Sequence, residues 1–135
     1  MRKITLLKVD SSDYGFLYGL LKERNKIVNI THQKMPTRKE SDKFNANKHD
    51  LYDLIILKND ERIGNVRIIK RGEVGIFLKK KYQDQGIGTT TMWLLFGKTN
   101  LKEYYANISP LNIRSQRFFE SLGFKLISYT YKKIE

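Results

Sequence analysis

The chain has 135 residues, 40% hydrophobic and 12% aromatic, which is a length for one domain with its own core and a composition foreign to a disordered tail. Cysteine is absent, which excludes disulfides, thiolate metal sites and a cysteine nucleophile; the two histidines, His32 and His49, are too far apart to form a helical metal pair, so no metal is expected. The formal charge of +12 is scattered, with no basic run longer than Lys79-Lys80-Lys81, and so reads first as a solvated surface and second as a mark of an anionic partner.

Taken in chain order, residues 2–9 read as a strand with Ile4, Leu6 and Val9 facing inward. Its apolar run is too short for a signal peptide, and no stretch of about 20 apolar residues follows, so a cytoplasmic protein without membrane spans is expected. Asp10-Ser11-Ser12-Asp13 is a helix start signal, and Phe16, Leu17, Leu20 and Leu21 recur at helical spacing over 12–25. Residues 26–36 are irregular and carry His32, Met35 and Pro36. Thr37-Arg38-Lys39-Glu40 has the form of a capping box, which predicts a helix over 38–48. Strands follow at 51–57, 62–69 and 73–79, separated by turns at Asn59-Asp60-Glu61 and Arg71-Gly72, as in an antiparallel meander. A glycine turn at 86–88 then leads to a helix at 89–97, a strand at 103–109, a helix at 112–122 and a last strand at 124–132. The order is β-α-α-β-β-β-α-β-α-β. It predicts an α/β (α+β) domain spanning 1–135, with a mixed, mostly antiparallel sheet of about six strands and helices on both faces.

The segment with chemical content is Leu78-Lys79-Lys80-Lys81-Tyr82-Gln83-Asp84-Gln85-Gly86-Ile87-Gly88-Thr89. It joins a strand to a helix, and successive amides at a helix N-terminus beside lysines make an anion site. It is not a Walker loop, because no lysine follows either glycine, and not a Rossmann turn, because Thr91 stands where the third glycine belongs. Gln83-x-x-Gly86-x-Gly88 resembles instead the Q/R-x-x-G-x-G/A pyrophosphate loop of the GNAT superfamily of N-acetyltransferases. The stretch Ala106 to Phe124, with Asn112, Ser115, Phe118 and Leu122-Gly123-Phe124, is similar to that family's strand–Asn–helix–LGF region. The two motifs occur in the family's order, and the resemblance is specific from about residue 51 onward.

The resemblance implies acetyl-CoA as co-substrate, held in a cleft where the fourth and fifth strands splay apart. Backbone groups of Phe77, Leu78 and Lys79 are then expected along the pantetheine arm. Gln83 and the amides of Gln85, Gly86, Ile87, Gly88 and Thr89 are expected at the pyrophosphate, with Asn112, Ser115 and Phe118 along the other side. A primary amine attacks the thioester directly, so the protein needs a base for the ammonium and an acid for the thiolate. Glu73 and His32 are the candidate bases, since Asn107 stands where many relatives carry a glutamate. The family's acid is usually a tyrosine at the position of Phe119, which has no proton to give. Tyr105, Tyr104 or water then takes that role.

The acceptor is less legible. The short chain and the segment Asn29 to Pro36 resemble acetyltransferases acting on amino-sugar nucleotides in glycan synthesis, with Lys34, Arg38, Lys39 and Lys43 as candidate contacts for a diphosphate. A protein or peptide N-terminus is the alternative within the enzyme class. A catalytically silent binding module for an anionic partner is the alternative outside it. Nucleic acid is disfavoured because the aromatics form no basic–aromatic stripe. Either a monomer or a homodimer is compatible with the sequence.

Overall fold

The computed structural model describes residues 3–24 and 35–135. Strand β1 (Ile4–Lys8) leads through a single 3-10 turn at Ser11–Asp13 into α1 (Tyr14–Glu23). Asp10 caps that turn: its Oδ1 accepts from Ser12 N–H at 2.8 Å, and Asp13 Oδ2 accepts from Asp10 N–H at 3.0 Å. Helix α2 (Arg38–Asn47) starts at the capping box expected of Thr37 and Glu40, each side chain bonded to the other's backbone N–H. The meander follows as β2 (Tyr52–Lys58), β3 (Glu61–Ile69) and β4 (Glu73–Leu78), then α3 (Ile87–Thr99) and α4 (Ile113–Ser121).

The four strands form one antiparallel sheet in the order β1-β2-β3-β4. Alternation along the strands gives the sheet two apolar faces. Leu54 and Ile56 of β2, Val66 and Ile68 of β3 and Val74 of β4 meet Ile87, Met92 and Leu95 of α3 and Phe119 of α4 in the main core. Ile55 faces the other way and packs with Leu17 and Leu20 of α1, joined by Leu57 and Phe77. Each fully buried side chain of this size contributes roughly 1.5–3 kcal/mol, so the sheet is clamped from both sides. Helices on both faces are thus as expected. Ile4, Leu6 and Val9 face inward as expected, Ile4 and Leu6 against the main core and Val9 against the α1 cluster on the other face.

Backbones approach closely at Gly64. A Cβ there would lie 2.3 Å from the carbonyl oxygen of Phe77 on β4. Only glycine lets β3 and β4 come this near.

The sheet differs from the expected six strands. Of the stretch 103–109, only Tyr105 joins the sheet, in one parallel bridge to Glu73. Its N–H reaches Gly72 O at 2.9 Å and its carbonyl accepts from Val74 N–H at 2.7 Å. The expected strand at 124–132 is not formed. Strands exist only through ladder bonds to a neighbour, and beyond Phe124 the chain makes none of them to the other described residues. Leu126, Ile127, Tyr129, Tyr131 and Ile134 are accordingly exposed.

Candidate active site

Three features converge where β4 ends. The first is a splayed edge. The β3–β4 register, together with the Lys79 N–H bond to Ile63 O at 2.8 Å, directs the peptide groups of Gly75, Phe77 and Lys79 toward β3. Those of Val74, Ile76 and Leu78 point to the opposite edge. Val74 is used by Tyr105, and beyond that bridge no strand continues. The N–H groups of Ile76 and Leu78 therefore face an edge where no strand continues among the described residues, while the Leu78 carbonyl accepts from Gln83 Nε2 at 3.1 Å.

The second feature is the turn into α3. Gln83, through that bond, ties the turn back to the strand. Gln85 Nε2 donates to Lys81 O at 2.9 Å. Gly86 then takes φ +77°, a left-handed conformation that favours glycine, and a Cβ there would meet nothing within 4 Å. No side chain caps α3, and the first intrahelical bond is Thr90 N–H to Gly86 O at 3.2 Å. The N–H groups of Ile87, Gly88 and Thr89 precede that bond and are turned outward, at the positive end of the helix dipole. Gly88 fits against Phe118 of α4, whose ring carbons would lie 3.1 and 3.2 Å from an added Cβ. Asp84 reaches Arg114 of α4 at 2.6 Å. Asn112 caps α4, its Oδ1 accepting from Ser115 N–H at 3.0 Å. An uncapped, glycine-opened helix N-terminus beside unpaired strand amides fits a long molecule with an anionic pyrophosphate and an amide-bearing arm.

The third feature, on the α1/α2 face of the sheet, is a cavity of about 340 Å³. Leu17, Leu20, Phe44 and Phe77 supply apolar wall; Arg24, Lys48, Asn65 and Arg67 supply polar wall. A buried ionic network underlies it. Arg67 makes a two-pronged pair with Asp50, Nε to Oδ2 and Nη2 to Oδ1, both at 2.9 Å. Lys48 holds Asp53 at 2.7 Å and Asp50 at 3.7 Å, and Asn65 Nδ2 donates to Asp53 Oδ1 at 2.9 Å. Sequence reading missed this network. Its signal was the alternation in Ile63-Gly64-Asn65-Val66-Arg67-Ile68, which puts Asn65 and Arg67 on one face beside Asp53 of β2.

The other expected residues lie as follows. Glu73 faces the same side of β4 as Phe77, roughly 13 Å upstream at strand rise, and its carboxylate accepts from Asn107 Nδ2. His32 and Lys34 lie outside the described residues. Phe119 is core, stacked edge-on against Phe118 and Phe124. Tyr104 is committed: its hydroxyl bonds Thr99 Oγ1 at 2.7 Å and Leu101 N–H at 2.9 Å. Tyr105 donates to Glu103 at 2.7 Å, and that hydrogen bond, helped by the carboxylate's charge, raises its pKa. Arg38 pairs with Asp42 on α2 at 2.8 Å.

The sequence matches the family described as acetyltransferase (GNAT) domain over residues 3–125. No curated protein matches it. Among solved structures, a domain from Methanocaldococcus jannaschii is similar at 23% identity and TM-score 0.81, over 93% of this chain and 90% of that one. A spermidine N-acetyltransferase chimera from Vibrio cholerae aligns at 20% identity and TM-score 0.73, over 87% and 78%. An aminoglycoside N-acetyltransferase in complex with CoA aligns at 16% identity and TM-score 0.71, over 100% and 96%. These likenesses show the fold. The family match over most of the length shows membership: the chain belongs to the acetyltransferase (GNAT) family, the acetyl-CoA-dependent N-acetyltransferases.

Proposed function

We propose that the protein transfers the acetyl group of acetyl-CoA to the amine of a small molecule, an amino sugar or its nucleotide conjugate. The observation that carries the coenzyme part is the uncapped N-terminus of α3 beside the open edge of β4. Acetyl-CoA supplies the acetyl group as a thioester, which the amine attacks directly. Amides of Ile87, Gly88 and Thr89 hold the pyrophosphate, with Gly86 keeping its approach open. Gln83 acts by fixing the turn. Along the arm, the groups that face the cleft are those of Ile76 and Leu78, since Phe77 and Lys79 bond toward β3. The Leu78 N–H is placed to polarise a carbonyl lying on that edge. Asn112, Ser115 and Phe118 form the opposite wall.

The amine approaches from the α1/α2 side, where the cavity shares Phe77 with β4. Glu73, the one carboxylate on β4, takes the ammonium proton through a chain of waters along the strand, because a single water does not span the roughly 13 Å to Phe77. A thiol has an ordinary pKa of about 8–9, so the leaving group needs no strong acid, and a buried Phe119 is compatible with turnover. The M. jannaschii, spermidine and aminoglycoside relatives do not decide the acceptor. A polyamine suits this chain poorly, because cations line its cavity and its net charge is +12.

Thermal unfolding with acetyl-CoA, and with ATP as anionic control, tests the coenzyme reading. At about 100 times its dissociation constant a specific ligand adds about 2.7 kcal/mol. A rise with acetyl-CoA and little with ATP is expected. Equal shifts with both, or none, would overturn it and favour the silent binding module.

A further inference from the structure

Arg24, at the end of α1, is the unusual cation of the cavity. Its guanidinium lies on the ring of Phe77, 3.8 Å from the centroid, so its plane is fixed and its N–H donors point along the plane. Its Nε is buried and has no hydrogen-bond partner. Burial, and then the nearby charge of Arg67, lowers its pKa to about 10.

The other charges around the cavity are accounted for. Lys48 and Arg67 line it, but Asp50 and Asp53 answer them one for one. Glu40 also lines it, and its Oε1 is engaged by Thr37 N–H at the head of α2. Among the described residues Arg24 forms no ion pair with a carboxylate. Leaving a buried donor of a charged group unsatisfied costs stability, which the stack on Phe77 and the C-terminal end of α1 offset in part. Nε itself is closed off, so an anion on the bound molecule meets the guanidinium edge that lines the cavity and offsets the buried charge there.

We propose that the acceptor is an amine whose own molecule carries a carboxylate or phosphate, bound through the in-plane edge of the Arg24 guanidinium that Phe77 holds in the cavity wall. This rests on the acceptor side assigned above. It divides the ligand between two ends: an apolar wall and the β4 edge for the amine-bearing part, and a forked cation for the anion. A neutral amine leaves Arg24 unanswered. A polyamine adds a second unanswered charge.

The test is calorimetric titration of the protein without acetyl-CoA, so that it reads pocket binding and not turnover. Two matched pairs are compared: glucosamine 6-phosphate against glucosamine, and an amino acid with a free carboxylate against its amide. Wild type is expected to bind the anionic member of at least one pair about 10- to 100-fold more tightly, the range of a charge-assisted hydrogen-bonded pair. The pair that discriminates tells phosphate from carboxylate. Arg24→Met should erase the difference, and Arg24→Lys should keep only part of it, because an ammonium lacks the fork. Arg24→Met should also leave the unfolding midpoint unchanged or higher, since it removes an uncompensated charge; a merely structural arginine would lower it. No discrimination by the wild type in either pair, or discrimination that survives Arg24→Met, overturns the proposal. Discrimination that depends on Arg24 without acetylation of the same compound leaves the anion site standing and refutes the transferase reading instead.

Discussion

At the scale of single residues, the pair Tyr82–Glu61 shows how one bond ties stability to pH. The hydroxyl of Tyr82, at the edge of the core, donates to Glu61 Oε2 at 2.5 Å. That bond, more than the surrounding lysines, lowers the carboxyl pKa of Glu61 from 4.5 and raises that of Tyr82 from 10.0. A carboxylate with a depressed folded pKa contributes stability that is present above 4.5 and lost as pH falls through the folded value. A phenol with a raised one contributes stability present below 10.0 and lost as pH rises through the folded value. Tyr82→Phe should therefore flatten both limbs of the unfolding midpoint against pH. Glu61→Gln should flatten the acid limb. Wild-type steepness at both ends in Tyr82→Phe would show that other groups control them.

At the scale of elements, α3 and α4 meet where Gly88 faces Phe118. A methyl on Gly88 would press the Phe118 ring from 3.1 Å, so Gly88→Ala should lower stability by about 1–3 kcal/mol, as overpacking does. Phe118→Leu should recover part of that loss, a coupling readable as non-additive unfolding midpoints. Additive changes would mean that the two helices do not share the contact. Gly86 acts differently: its surroundings are empty, so Gly86→Ala costs only the left-handed backbone, about 1 kcal/mol.

These elements also show what the sequence could disclose. Thr37 and Glu40 announced α2, and Asn112 announced α4, because caps are local chemistry. The meander was legible because alternation and turn residues lie close together in sequence. Residues 103–109 and 124–132 carry the same alternation but lack neighbours along most of their length. Pairing depends on the partner, and one strand's pattern does not reveal it. The cavity network was hidden for a related reason: Arg24, the stretch Lys48 to Asp50, and Arg67 come from three separate segments, and only the packing of α1 and α2 on the sheet assembles them. Phe119 was legible as a departure from the family, and its burial explains the residue as core.

At the scale of the whole molecule, the apolar content is unevenly used. The family match ends at residue 125, and the exposed Leu126, Ile127, Tyr129, Tyr131 and Ile134 lie beyond it. A chain stopped after Lys125 should unfold within about 2 °C of the full chain, because surface changes away from buried features shift stability by only about 0.5 kcal/mol. Its tendency to self-associate, measured by light scattering, should fall, since exposed apolar strand-like segments drive pairing between chains. A large drop in the midpoint would show that the segment is part of the folded core.

The single bridge between Glu73 and Tyr105 has a consequence for how the protein resists degradation. Two backbone hydrogen bonds join the stretch from Leu101 to Leu111 to the sheet, and it is otherwise held by side-chain contacts, among them the bonds of Tyr104, Asn107 and Gln116. Such a stretch opens locally at a fraction of the cost of global unfolding. A ligand lying along both walls adds its binding energy to that local step. Amide exchange and proteolytic nicking between 101 and 111 then fall as the supply of the coenzyme rises, and the lifetime of the enzyme follows its own substrate.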